Sequence, residues 1–256
     1  MFFIFVIGTA GCGKSVLTAA LEKWLATSEL AVTVVNLDPG VEDPPYTSDV
    51  DIREYVNYGQ VMHEFGLGPN GALVASLDMA VSHVDDLREE IIDIGRDYVI
   101  IDCPGQMELF AYRNSGPLLV SSLRNYDPAA SLYLLDANIA RTPTGYLSSM
   151  LLGISINIRF LLPQISILSK ADIISEEKVQ EVISWSTNPF LLQDALDMTA
   201  EGMIKEYSSS ILRILEDIGS GTSLFPISAK QMVGMETLYA EIQRVLAGGE
   251  DYLTYE

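Results

Sequence analysis

A three-layer α/β/α fold around a mainly parallel central sheet is the architecture this sequence predicts, and three observations predict it. Short continuous apolar runs, rich in β-branched and aromatic residues, recur along the chain, as in parallel strands covered on both faces. They alternate with longer stretches of helical periodicity, the order that builds βαβ units. The first run, Phe2 to Ile7, passes straight into a glycine-rich turn, Gly8-Thr9-Ala10-Gly11-Cys12-Gly13-Lys14-Ser15, and then into a helical stretch from Val16 to Leu25.

That turn matches G-x-x-x-x-G-K-S in the strand–loop–helix context the phosphate-binding loop requires, so the α/β fold is that of a P-loop NTPase. Glycines let the backbone curl until the N–H groups of Gly11, Cys12, Gly13, Lys14, Ser15 and Val16 converge on an anion. The following helix points its positive end at the same place. Lys14 can reach the terminal phosphates, and the Ser15 hydroxyl can hold Mg²⁺. A nucleoside triphosphate is the expected ligand.

A chain of 256 residues is long enough to bury a large core as a single domain, 1–256. Its net charge of −20, with only 15 Lys and Arg and no basic run, argues against direct nucleic-acid or anionic-membrane binding. The two cysteines, Cys12 and Cys103, fall inside the two phosphate-side motifs. They are no disulfide framework and point to a reducing, cytoplasmic setting; they serve either as incidental small residues or as a redox pair. No targeting segment is expected. The oily stretch Leu147 to Leu168 contains Asn157, Arg159 and Pro163, which divides it into a buried helix and a strand rather than a membrane span.

Ala31 to Leu37 is the second strand, ending at Asp38-Pro39-Gly40. A carboxylate at such a strand end lies in the ligand crevice. Asp38 suits two roles equally, a water-orienting or Mg²⁺-associated group and a turn former before proline. A proline-rich connection, 43–48, leads to a helix expected over Ile52 to Glu64 with Asp51 as N-cap. Phe65 to Gly71 holds two prolonged turn signals, Gly-Pro-Asn and Asn-Gly, and is expected to be a shaped loop. Ala72 to Ile94 carries apolar residues at helical spacing, with Asp85, Asp86, Glu89 and Glu90 on the solvated face.

Tyr98-Val99-Ile100-Ile101-Asp102 ends a buried strand in aspartate, the arrangement that holds Mg²⁺ through water, and Cys103-Pro104-Gly105-Gln106 follows. Gly105 can offer its N–H to the γ-phosphate. Gln106 stands where a hydrolase needs a side chain to orient water, with Glu108 able to accept from the same water. Ser131 to Asp136 and Pro163 to Leu168 are further strands, the latter closing on Ser169-Lys170-Ala171-Asp172. A carboxylate at Asp172 can take two hydrogen bonds from guanine N1–H and N2–H₂, a donor pair adenine lacks. Lys170 can lay its stem on the purine. Ser169 stands where such motifs usually carry Asn or Thr. Ser223 to Ile227 then leads into Ser228-Ala229-Lys230, whose backbone can meet guanine O6. Between these motifs, about 175–219 forms a helical insert broken near Asn188-Pro189. A closing helix spans Val233 to Leu246, and a short acidic tail, 248–256, follows and is expected to fray.

With these residues in order, the chain resembles the GPN-loop GTPases, dimerising P-loop GTPases, over nearly its whole length and in their compact, archaeal-like form. The resemblance is carried by Gly68-Pro69-Asn70, Asn36-Leu37-Asp38-Pro39, Val50-Asp51-Ile52-Arg53-Glu54, Pro104-Gly105-Gln106-Met107-Glu108 and Ser169-Lys170-Ala171-Asp172. It implies a homodimer in which the Gly68-Pro69-Asn70 segment of one subunit reaches the nucleotide site of the other, so that Asn70 assists hydrolysis in trans. It also implies that Asp38, Gln106 and Glu108 surround the water and the metal, that GTP, GDP and Mg²⁺ are the ligands, and that a protein client exists, in some relatives tied to RNA polymerase. The alternatives are an ATPase of the related partitioning class, a slow GTP switch that recruits a partner, and a small-molecule kinase. The partitioning ATPases typically carry an early lysine where this chain has Thr9 and Ala10.

Overall fold

Strand β1 (Phe2–Gly8) owes its unbroken apolar sequence to burial on both sides. Phe3, Phe5 and Ile7 face one hydrophobic cluster, and Ile4 and Val6 face the other. Alternation cannot show in a strand with two dry faces. The computed structural model describes residues 1–199, 202, 207, 208, 210–213 and 223–248.

Among the described residues, β1 lies inside a seven-stranded sheet with β2 (Val32–Asn36), β3 (Val50–Asp51), β4 (Tyr98–Asp102), β5 (Ala129–Asp136), β6 (Gln164–Ser169) and β7 (Leu224–Ile227). The order is β3-β2-β4-β1-β5-β6-β7, and every neighbouring pair is parallel. Pro226 sits in β7, an edge strand, where its missing N–H interrupts no ladder on the open side.

One face of the sheet is covered by α1 (Lys14–Thr27) and the closing helix Met235–Ala247. Leu17, Leu21 and Leu25 are at most 1% exposed, each worth roughly 1.5–3 kcal/mol of burial. The other face takes α3 (Pro69–Ala80), α4 (Val84–Ile94), α6 (Ser115–Arg124), the short α7 (Ala137–Ala140), α8 (Pro143–Phe160) and α9 (Glu176–Thr187). The apolar stripe from Leu73 to Ile91 is buried except for half-buried Val81, and Asp85, Asp86, Glu89 and Glu90 are exposed, as their spacing predicts.

Three local expectations are corrected. The helix over 52–64 is divided: Asp51 caps only a 3₁₀ turn, Ile52–Glu54, and α2 (Tyr58–Glu64) has its own cap, the Asn57 side chain accepting from the Gln60 N–H. The loop over 65–71 ends early. Gly68 is the N-cap of α3, and Pro69 and Asn70 form its first turn, where proline's missing donor costs nothing. The stripe to Ile94 is not one helix, because a 3₁₀ turn, Val81–His83, separates α3 from α4. Strand β3, a two-residue edge strand, gave no periodic signal. Of the insert, α9 and α10 (Pro189–Thr199) are described, with the break at Asn188; most of 200–222 and the tail from 249 lie outside the described residues. No helix among the described residues is long and apolar enough to cross a membrane.

Candidate nucleotide site

The C-terminal ends of β1, β2, β4 and β6 align on one side of the sheet, and order reverses at β1, the switch point where such folds bind ligands. Gly8 leaves β1 at φ +152°, and a Cβ there would meet Cys12 Sγ at 2.7 Å and the Leu134 carbonyl oxygen at 3.0 Å. The loop therefore lies flat on β5. Gly13 begins α1 in the left-handed region, φ 102°, with no side-chain cap, and no acidic residue occupies the first turn. A capping oxygen or carboxylate would compete for the free N–H groups; here they are left to an anion. The amine of Lys14, a buried residue, donates to the Thr9 carbonyl oxygen at 3.2 Å.

Asp102 is 2% exposed at the end of β4. Its Oδ2 accepts from the Tyr46 hydroxyl at 2.8 Å, whereas Oδ1 is buried with no hydrogen-bond partner. Burial pushes its pKa up to about 6; Ser15, Tyr46 and Lys14 pull it down, and Asp38 pushes it further up. The Asp102 carboxyl thus combines one orphaned buried oxygen with an interaction with the Ser15 hydroxyl, a donor set that suits a cation. Among the described residues no group of three or more His, Cys, Asp or Glu is arranged to hold a metal alone. The Ser15 hydroxyl and the orphaned Asp102 oxygen are donors that would suit a Mg²⁺ ion arriving with phosphates and keeping its waters.

Both oxygens of Asp38 already accept a backbone hydrogen bond, and each keeps a further lone pair. Its Oδ1 accepts from the Gly40 N–H at 2.9 Å and its Oδ2 from the Gly105 N–H at 3.2 Å. The turn-forming role and the crevice role therefore coexist in one carboxylate, and its second oxygen joins the loop after β2 to the loop after β4. Asp38, Gly105 and Gln106 line one small pocket with Ala10, Gly40, Tyr58 and Leu73. A Cβ on Gly105 would lie 3.6 Å from Lys14 Nζ, which sets this pocket against the phosphate loop. Glu108 does not line it; it is exposed on the first turn of α5 (Met107–Tyr112). Asn70 is exposed at the start of α3 and outside that pocket within this chain.

The motifs read for the base come together with the phosphate loop. One cavity is lined by Cys12, Gly13 and Val16 from the phosphate loop, by Ser169, Lys170 and Asp172, and by Ala229. Ser228, next to Ala229 in the chain, is buried, its N–H and carbonyl bridging to Val233. Lys170, in the left-handed region at φ 57°, folds over Gly13 and binds the Gly11 carbonyl oxygen and Asp136 Oδ2. The Ser169 hydroxyl bonds to the Cys12 carbonyl oxygen at 2.7 Å. Both cysteines are buried, and burial pushes both thiols up, which disfavours the thiolate that redox chemistry needs.

Residues 6–248 match the family model described as "Conserved hypothetical ATP binding protein". GPN-loop GTPase 3 of Eremothecium gossypii is 32% identical, over 96% of this chain and 92% of that protein. The chain belongs to the GPN-loop GTPase family. GPN-loop GTPase 1 of Dictyostelium discoideum is also 32% identical, over 98% of this chain, which spans 62% of that relative's length. The crystal structure described as a GTPase in apo form from Pyrococcus abyssi superposes with a TM-score of 0.85 at 29% identity, covering 95% of this chain and 97% of that one.

In this GPN-loop GTPase the sequence reading missed four supporting residues. Asn36, 0% exposed, uses its amide to bond Asp51 Oδ1 and the Asp38 carbonyl oxygen, and its Oδ1 accepts from the Asp38 N–H. A lone amide closing an apolar strand was the available signal, since a buried amide must be satisfied. Asp136 ends β5 as Asp102 ends β4, so the strand-end argument applied to one would have found the other. Tyr46 and Tyr58 carry no such sign. The Tyr58 hydroxyl donates to the Pro69 carbonyl oxygen at 3.1 Å, joining the Gly-Pro-Asn segment to the pocket its ring lines.

Proposed function

We propose that this chain hydrolyses GTP to GDP and phosphate with Mg²⁺ and works as a nucleotide-switched homodimer. The observation that carries the guanine reading is the single cavity that joins Asp172, Lys170 and Ala229 to the phosphate loop at Cys12, Gly13 and Val16. A purine placed there has a carboxylate available on one edge, which fits the donor pair of guanine and leaves adenine facing an unpaired acceptor. This outweighs the ATP-binding description of the family model.

The uncapped start of α1, with Lys14, takes up the charge that develops on the phosphates. Ser15 and Asp102 would hold Mg²⁺, which when bound would neutralise phosphate charge. The Gly105 N–H is the group that reads the γ-phosphate, and it now serves Asp38. Its transfer to the phosphate would release Asp38 to join Gln106 at the water, so one hydrogen-bond exchange couples nucleotide state to catalytic readiness. Glu108 and Asn70, both exposed, act where a second subunit completes the site, Asn70 by reaching across. The net charge of −20 favours a protein client over nucleic acid, and family resemblance points to one related to RNA polymerase.

Displacement of a fluorescent GTP analogue by GTP, GDP and ATP tests the base, with Asp172→Ala as the control that removes the acceptor. Guanine nucleotides should compete at least a hundredfold better than ATP, and the variant should erase the difference; equal competition by ATP would reject the reading. Light scattering with a non-hydrolysable GTP analogue tests the dimer, and a persistent monomer would reject that part alone.

A further inference from the structure

Tyr46 is 56 positions from Asp102 in sequence, yet its hydroxyl is 2.8 Å from Asp102 Oδ2 and 3.5 Å from Asn36 Oδ1. Asn36 and Asp102 are register partners at the ends of β2 and β4, so the phenol bridges two adjacent strand termini. A phenol has one proton to donate. The shorter contact is to the carboxylate, a charged acceptor and the stronger partner.

The loop that carries Tyr46 is held at both ends by one ion pair. Arg53 binds both oxygens of Asp51 and donates to the Val41 and Glu42 carbonyl oxygens at 3.1 Å. The Ser48 hydroxyl donates to Asp51 Oδ2 at 2.6 Å. Burial alone would raise the Asp51 carboxyl, but Arg53, Ser48 and Asn36 together hold it below the usual carboxylate range, so the anchor stays ionised. Tyr46 is thus seated by a pinned segment and does not behave as a free flap.

We propose that Tyr46 is a positioning residue for the metal-side carboxylate: its hydroxyl occupies Asp102 Oδ2 and fixes the rotamer that leaves Oδ1 as the open acceptor. The inference rests on the reading that Mg²⁺ binds at Ser15 and Asp102. A two-oxygen carboxylate with one oxygen bonded and the other dry and unpartnered is already divided between support and ligand. Outer partners of this kind orient metal ligands elsewhere, and their loss typically costs affinity tenfold or more. The opposite role, a cap that a metal must push aside, predicts the opposite effect of removing the hydroxyl.

The test is the release of a fluorescent GDP analogue from the full-length chain, followed across a Mg²⁺ titration and in EDTA. Wild type should hold GDP more tightly with Mg²⁺; if it shows no Mg²⁺ dependence, the magnesium reading itself fails. Given that dependence, Tyr46→Phe should raise the Mg²⁺ concentration for half-maximal retention about tenfold while leaving release in EDTA within about twofold of wild type. An unchanged or lowered midpoint overturns the proposal, and so does an equal change in both conditions, which a merely loosened loop would give. A crystal structure of wild type with Mg²⁺ and GDP decides the point without the variant. Tyr46 Oη should remain in hydrogen-bond reach of Asp102, and a ring swung out of the site overturns the inference.

Discussion

The Ser169 hydroxyl lies 2.7 Å from the Cys12 carbonyl oxygen and 3.0 Å from that of Leu135. It ties the base-side loop to the phosphate loop, and Lys170 adds a second tie at the Gly11 carbonyl oxygen. A hydroxyl has a single proton, so it serves one of its two carbonyls at a time, where the Asn more usual at this position would offer two N–H groups. Ser169→Ala should therefore weaken GDP binding about three- to tenfold, the scale of one buried neutral hydrogen bond, by leaving the two loops less well matched. Fluorescence anisotropy with a labelled GDP checks this, with thermal melting to show that the fold is retained.

Gln106 lines the pocket next to Gly105 and Asp38, against the phosphate loop. A side chain placed to orient a water stabilises the transition state and not the bound nucleotide. Gln106→Ala should lower turnover by about a hundredfold or more while GTP affinity changes less than about threefold. Single-turnover phosphate release, set beside equilibrium binding, separates the two; unchanged turnover would remove Gln106 from the mechanism.

Asp102 is held at about 6 by burial, against 3.8 for a free carboxyl. The folded chain therefore binds this proton more tightly than the unfolded chain does. The stability it confers is fully present below 3.8, is lost as pH rises to about 6, and is absent at neutral pH, where the ionised carboxylate sits in a dry site. Asp102→Asn should stabilise the nucleotide-free protein at pH 7.5 by about 1–3 kcal/mol, an advantage that shrinks on going to pH 5. Urea titrations of both proteins at the two pH values check the sign. The same variant should lose Mg²⁺-dependent GDP retention.

Gly8 combines a backbone angle that side chains rarely adopt with two close neighbours, Cys12 Sγ and the Leu134 carbonyl oxygen. Gly8→Ala should cost about 2–3 kcal/mol of stability and displace the phosphate loop. A lowered denaturation midpoint together with weaker GDP binding is the expected pair of results. A variant as stable as wild type would show that the loop lies looser on β5 than this contact implies.

Much of the core fold was legible because burial on two faces leaves a blunt mark. The runs beginning at Phe2, Ala31, Tyr98, Ser131, Pro163 and Ser223 all became strands, with ends shifted by no more than two residues. Helix continuity was harder to read. The stripe over 72–94 keeps its apolar spacing across the 3₁₀ turn Val81–His83, since so short a turn rotates side chains too little to disturb the pattern, and the non-helical stretch 55–57 within 52–64 carries no glycine or proline to announce it. Gly68-Pro69-Asn70 looked like a loop because turns and helix starts favour the same residues.

By itself the sequence determined the chemical inventory: the phosphate loop at Gly8 to Ser15, the strand-end Asp102, the Asp172 acceptor and the candidate water-orienting Gln106. These follow from residue types at short spacing, where the chain's own geometry sets what can meet. Tertiary structure alone decided which groups are occupied by other parts of the chain. Asp38 is held by the Gly105 N–H, Ser169 holds Cys12 and Lys170 is held by Asp136. Tyr46 takes one oxygen of Asp102 and leaves the other open. Each of these contacts joins residues 34 to 157 positions apart. Sheet order brings them together, and no local pattern in the chain records which strand will lie beside which.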